Sequence, residues 1–98
     1  MTLIWKEPIR VVDKFTLDLP KDSQIISVQT QNAVPCIWFK FQQQNKDTKE
    51  KRTFRVVGTG QLFSDINMRY VGTFQIERMD LVFHLFEVLT FEVGVDSE

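Results

Sequence analysis

Apolar and polar side chains alternate along most of this chain with a period of two, and no stretch keeps a period near 3.6 for the 10 to 12 residues that a convincing helix needs. From Phe15 to Leu19 the alternation is clean: Phe15, Leu17 and Leu19 point one way, Thr16 and Asp18 the other. Such a strand has one buried and one wet face. Ser23 to Phe41 holds the strongest pattern, and the rest of the fold is expected to be organised around it. It reads as a hairpin turning at Gln31-Asn32-Ala33, because an Asn that tolerates turn geometry is flanked by β-branched and aromatic residues. In the second arm Val34, Cys36 and Trp38 share one face and Ile37, Phe39 and Phe41 the other. An arm apolar on both faces predicts a strand buried on both sides, in the middle of the fold.

The remaining elements follow in order. Thr2 to Lys6 is β-prone, and Pro8, which donates no ladder hydrogen bond, makes it an edge strand or ends it. Pro20-Lys21-Asp22-Ser23 is a turn. Residues 42–51, QQQNKDTKEK, contain nothing apolar and read as a long, solvated, mobile loop; Asp47 and Glu50 dilute its lysines and no aromatic is interleaved for base stacking. Arg52 to Gly60 resumes the strand pattern, with Phe54 and Val56 opposite Arg55 and Val57, until Gly58-Thr59-Gly60 ends it. Gln61 to Asn67 suggests a single helical turn capped by Ser64 or Asp65. Tyr70–Ile76 and Leu81–Val88 form the last clear strand pair, joined through residues 77–80; Leu81, Phe83 and Leu85 face one way, Val82, His84 and Phe86 the other. Thr90 to Val95 adds a short final strand and residues 96–98 fray. The sum is an all-β fold, a small antiparallel β-sandwich of seven to eight strands with little or no helix, in one domain spanning residues 1–98, of which 89–98 is an extension or frayed tail. Such sandwiches leave edge strands, and several here carry little charge to blunt them, which predicts edge or face packing into a homo-oligomer.

Composition narrows the chemistry. With 12 basic and 13 acidic residues the net charge is −1, so the overall basic footprint of a duplex nucleic-acid binder is missing. Charges at Lys6, Glu7, Arg10, Asp13 and Lys14 break any signal-peptide core or membrane span, and the single Cys36 excludes an internal disulfide; a soluble protein of a reducing compartment is expected. One His and one Cys cannot make a zinc site of the usual kind, and no cofactor motif is present. Cys36 reads as packing and His84 as a satisfied, partly buried histidine rather than a base or ligand. Asp13, Asp18, Glu77, Asp80 and Glu87 read as solvated or turn positions. No catalytic residue emerges, and the expectation is a non-enzyme whose alternative would be a cryptic hydrolase. Most of the aromatic residues read as core, with some left to line an interface or ligand cleft.

The most informative local feature is a repeated tripeptide. Val57-Gly58-Thr59 closes one strand and Val71-Gly72-Thr73 opens another. Glycine beside a threonine hydroxyl lets a ligand approach backbone amides, and Arg52, Arg55 and Arg69 supply charge for a phosphate. The candidate ligand site is therefore Arg55, Gly58, Thr59, Arg69, Tyr70, Gly72 and Thr73, with Tyr70 stacking on a base. The plainer reading of the two glycines is a bulge and a strand start.

The run IWKEPI at 4–9, LPKDSQIISVQTQNAVPCIWF at 19–39, KRTFRVVGTG at 51–60, YVGTFQ at 70–75 and LVFHLFE at 81–87 resembles a small family of bacteriophage and prophage domains with no assigned role. The resemblance covers residues 3–87 and transfers no catalytic residues. It implies a phage-encoded accessory protein acting in the cytoplasm of the infected bacterial host. In size, lack of catalytic groups and supply of arginine and aromatic side chains the chain is similar to anti-defence sponges, small oligomeric phage proteins that hold cyclic nucleotide immune signals without cutting them. The expected partner is then a cyclic dinucleotide, another cyclic oligonucleotide or a different phosphate-bearing small molecule. The rival is a virion or protein–protein interaction module that blocks a host protein directly.

Overall fold

The computed structural model of the chain describes residues 1–89, apart from the side chain of Arg78. Among them are seven strands: β1 (Thr2–Pro8), β2 (Lys14–Pro20), β3 (Gln24–Gln31), β4 (Val34–Gln42), β5 (Lys49–Gly58), β6 (Met68–Ile76) and β7 (Leu81–Val88). They form two antiparallel sheets, one of three strands in the order β1-β4-β3 and one of four in the order β2-β5-β7-β6. The fold is all-β, and among the described residues the only helical elements are single 3-10 turns at Gln43–Asn45 and Glu77–Met79. The eighth strand expected over 90–95 lies outside the described residues.

Period-two patterning decides which side of each strand enters the core. Ile37, Phe39 and Phe41 of β4 meet Phe54 and Val56 of β5, Leu85 of β7, Leu19 of β2 and Phe74 of β6 between the sheets, all nearly inaccessible to water. The β3–β4 hairpin turns at Asn32 and Ala33, with φ of 51° and 68°, the left-handed pair that a two-residue turn matching strand twist requires. One pair of sheet edges is closed: Thr30 of β3 donates to the Gln75 carbonyl of β6 (2.8 Å), and a Cβ added to Gly72 would lie 2.8 Å from Val28 Cγ1. Gly72 is thus needed for close approach of the sheets.

Three local expectations change. The β4 arm is central in its sheet but buried on one side only: Trp38 is half-buried, Val34 and Lys40 are exposed, and Cys36 alone of that face is buried. A two-layer sandwich covers each sheet once, so a second apolar face has nothing to pack against. The polar run 42–51 is shorter as a loop than expected: Gln42 ends β4 and residues 49–51 begin β5, so only residues 43–48 connect, and they are fixed by Gln43 N to Met1 O (2.9 Å), Lys21 N to Thr48 O (2.7 Å) and Asn45 Nδ2 to Lys21 O (3.2 Å). This is a passage between sheets, which needs no apolar residue because backbone bonds hold it. Finally, the helical turn at 61–67 is absent. Because β5 and β6 both run antiparallel to β7, they are parallel to each other, and the chain must return the length of the sheet between them. Residues 59–67 are stretched over β7 to do so.

Candidate functional site

The outer face of the four-stranded sheet gathers part of the residue set expected from sequence. A β-bulge at Val71 shifts the β6–β7 register, so that Tyr70 pairs with Phe86 and Thr73 with His84. In an unbroken strand Tyr70 and Thr73 would point to opposite faces; the extra residue puts both outward. Tyr70 Oη then hydrogen-bonds Thr73 Oγ1, Thr73 Oγ1 reaches His84 Nδ1 (2.9 Å), and His84 Nε2 reaches Thr59 Oγ1 (2.8 Å). Thr59 in turn donates to the Val82 carbonyl (3.2 Å). These bonds form one directed chain when Nε2 carries the imidazole proton: Tyr70 donates to Thr73, Thr73 to Nδ1, Nε2–H to Thr59 and Thr59 to the carbonyl. The threonines of the two Val-Gly-Thr segments therefore clasp the two ring nitrogens of one histidine.

The other proposed ligand groups sit elsewhere. Arg55 is on the same outer face but pairs with Asp13 (3.1 Å), and its Nε is buried without a partner. Arg69 points inward and pairs with Glu87 (2.7 Å). Gly72 faces Val28, and Gly58 borders a hollow of about 290 Å3 that also holds the carboxylate-bearing Asp13. Tyr70, Thr73, Thr59 and Arg55 are thus on one face, while Arg69, Gly58 and Gly72 are not part of it. A hollow of about 350 Å3 lies away from all of them, at the hairpin tip, between Thr30, Asn32, Ala33, Ile76 and Glu77.

Glu87, expected from sequence at a solvated or turn position, is instead buried, 4% exposed. It takes two hydrogen bonds from Arg52 and one from Arg69, while Arg52 Nη1 also donates to the Ser23 carbonyl (2.8 Å). Burial works against the Glu87 carboxylate, yet the hydrogen bonds and charge of Arg52, then of Arg69, outweigh it and hold its pKa below the ordinary value. The same hydrogen bonding raises Arg52. The one sequence signal of this cluster was position: Glu87 continues the Leu85 face and Arg52 the Phe54 face, both inward.

Beside the hydrogen-bonded chain the outer face turns apolar. Phe63, in the crossing segment, packs on Phe86 (ring centroids 5.2 Å apart), and Tyr70 meets the same ring edge-on (5.6 Å). The segment also carries Leu62 and Ile66, 97% and 76% exposed. Underneath it Val57 is buried. Leucine and isoleucine so far into solvent stabilise nothing within the chain.

Fold and site together define a small antiparallel sandwich with a polar chain and an apolar patch side by side on one sheet face. The chain belongs to the domain-of-unknown-function family DUF7352, which it matches over residues 1–94. No curated protein and no solved structure is significantly similar to it. Among the described residues no group of His, Cys, Asp or Glu is placed to hold a metal ion, and no helix is long and apolar enough to cross a membrane.

Proposed function

We propose that this chain is a non-catalytic binding protein, phage-encoded and active in the cytoplasm of the infected bacterium, that works as a homo-oligomer assembled through the outer face of its four-stranded sheet. The observation that carries the reading is the patch made by Leu62, Phe63, Ile66, Tyr70 and Phe86. Contiguous exposed apolar side chains mark contact surfaces, and a patch that has only to match itself closes a symmetric assembly without charge complementarity. The non-catalytic part is supported by the reactive side chains: both His84 nitrogens are bonded to threonines, Cys36 is buried and Glu87 is ion-paired. Phage origin and compartment rest on the resemblance of the motif run. The test is light scattering at micromolar concentration. Wild type should weigh a multiple of 11.6 kDa, and the double variant Leu62→Asp, Ile66→Asp should fall to that mass with its melting temperature unchanged. A wild-type monomer overturns self-assembly and gives the patch to a host protein, which is the interaction-module reading.

A second reading, sequestration of a cyclic nucleotide, is favoured by one observation. Lys6 and Lys40 share the outer face of the three-stranded sheet, and neither is in an ion pair among the described residues. Arginines of the other sheet offer less, since Arg52, Arg55 and Arg69 are each paired with a carboxylate.

A further inference from the structure

We propose that the outer face of the three-stranded sheet binds a small nucleotide carrying one or two phosphates, its base stacked on Trp38 and its phosphates held by Lys6 and Lys40. The proposal takes its ligand class from the second reading above and gives that reading a site. Strand register sets the geometry: Trp38 of β4 lies opposite Lys6 of β1, and Lys40, two residues further along β4, lies opposite Ile4. All four side chains point away from the core, because Ile37, Phe39 and Phe41 take the alternate positions. None of the outward positions on β1, β3 or β4 is Asp or Glu; Glu7, the one carboxylate on these strands, is on the inward alternation. A half-buried indole flanked by uncompensated ammonium groups on an open sheet is the arrangement that single nucleotides use, a π-face for the base and cations for the phosphates.

Two further features fix the size of the ligand. Ile4 and Ile26, 59% and 46% exposed, stand beside Trp38 and its β3 partner Ser27, Ile26 being the extra residue of a bulge there. They offer an apolar border to one base. Beyond Lys40 the track ends in a hollow of about 270 Å3 shared with Asp22, whose carboxylate repels a further phosphate. With only two lysines on the face and a net charge of −1, a long strand would gain little from counterion release. One or two phosphates match the cations present. Lys6 already reaches across β4 to the amide oxygen of Gln31, a neutral partner that leaves its charge free to exchange for a phosphate.

The experiment uses the full chain. Replacing Trp5→Phe leaves Trp38 as the single tryptophan of the two, and the variant is titrated with cyclic mono- and dinucleotides of adenine, guanine and uracil while indole fluorescence is followed. At least one should quench Trp38 saturably, and inorganic phosphate alone should not. Lys6→Glu with Lys40→Glu should weaken binding by about 10-fold or more at an unchanged melting temperature, and loss of the stack in Trp38→Ala should weaken it by about 5- to 150-fold. Should Trp5→Phe fail to fold, calorimetry on the lysine double variant in the native background carries the same comparison. Binding that ignores both lysines and leaves Trp38 unquenched overturns this site and places sequestration elsewhere; no binding by any nucleotide overturns the second reading with it. A ten-residue oligoadenylate that binds far more tightly than every cyclic nucleotide overturns the small-ligand assignment.

Discussion

A carboxylate set between two guanidinium groups on the inner side of a sheet joins β5, β6 and β7 and, through the Ser23 carbonyl, the turn into β3. Removing one partner of such a buried cluster leaves the other charge uncompensated, which is where the cost lies. Glu87→Gln should therefore destabilise the domain by about 3 kcal/mol, the lower end of what breaking a buried pair costs, because the amide oxygen can still accept from Arg52. The pH dependence has a definite sign. Since the folded-state pKa of Glu87 is depressed, its contribution is fully present above the ordinary glutamate value of 4.5 and is lost as pH falls through the folded value. Denaturation curves between pH 3 and pH 7 should show wild type losing stability below about pH 4.5 and Glu87→Gln losing less of it over the same interval. Equal acid slopes for the two proteins would mean that Glu87 does not carry this ion-pair energy. Sequence alone could not supply the cluster, because Arg69 and Arg52 lie 18 and 35 residues from Glu87 along the chain and meet it only once the strands are paired.

At the scale of elements, patterning and turn chemistry carried most of the fold. The strand alternation of β2, β5 and β7, the Asn32-Ala33 turn and the central place of β4 were all legible, because each is written in neighbouring residues. What was not legible depends on pairs distant in sequence. The Val71 bulge is invisible until β6 is laid against β7, yet it alone turns Tyr70 and Thr73 to one face; the polar stretch 42–51 could not announce that its ends pair. The pattern also gave no sign that the two threonines of the Val-Gly-Thr repeat meet His84, a contact set by the pairing of distant strands. The second glycine of the repeat has a packing role that can be tested. Gly72→Ala drives a Cβ into Val28 where β3 and β6 meet, and overpacking of this kind costs about 1–3 kcal/mol. Urea denaturation checks it, and a midpoint equal to wild type would show that the two edges are free to part.

For the whole molecule the two sheets divide the work. Each has one face in the common core; the outward face of the larger sheet is apolar where the crossing segment covers β7, and that of the smaller one is open and cationic around Trp38. Self-assembly through the first would leave the second free for a ligand. The claim that the crossing segment is the contact surface is tested most directly by hydrogen–deuterium exchange of the wild-type protein at two concentrations on either side of assembly. Amides of residues 61–70 should exchange more slowly at the higher concentration while those of β1, the free edge of the other sheet, stay unchanged. Protection that appears in β1 and leaves 61–70 unaffected would contradict the account.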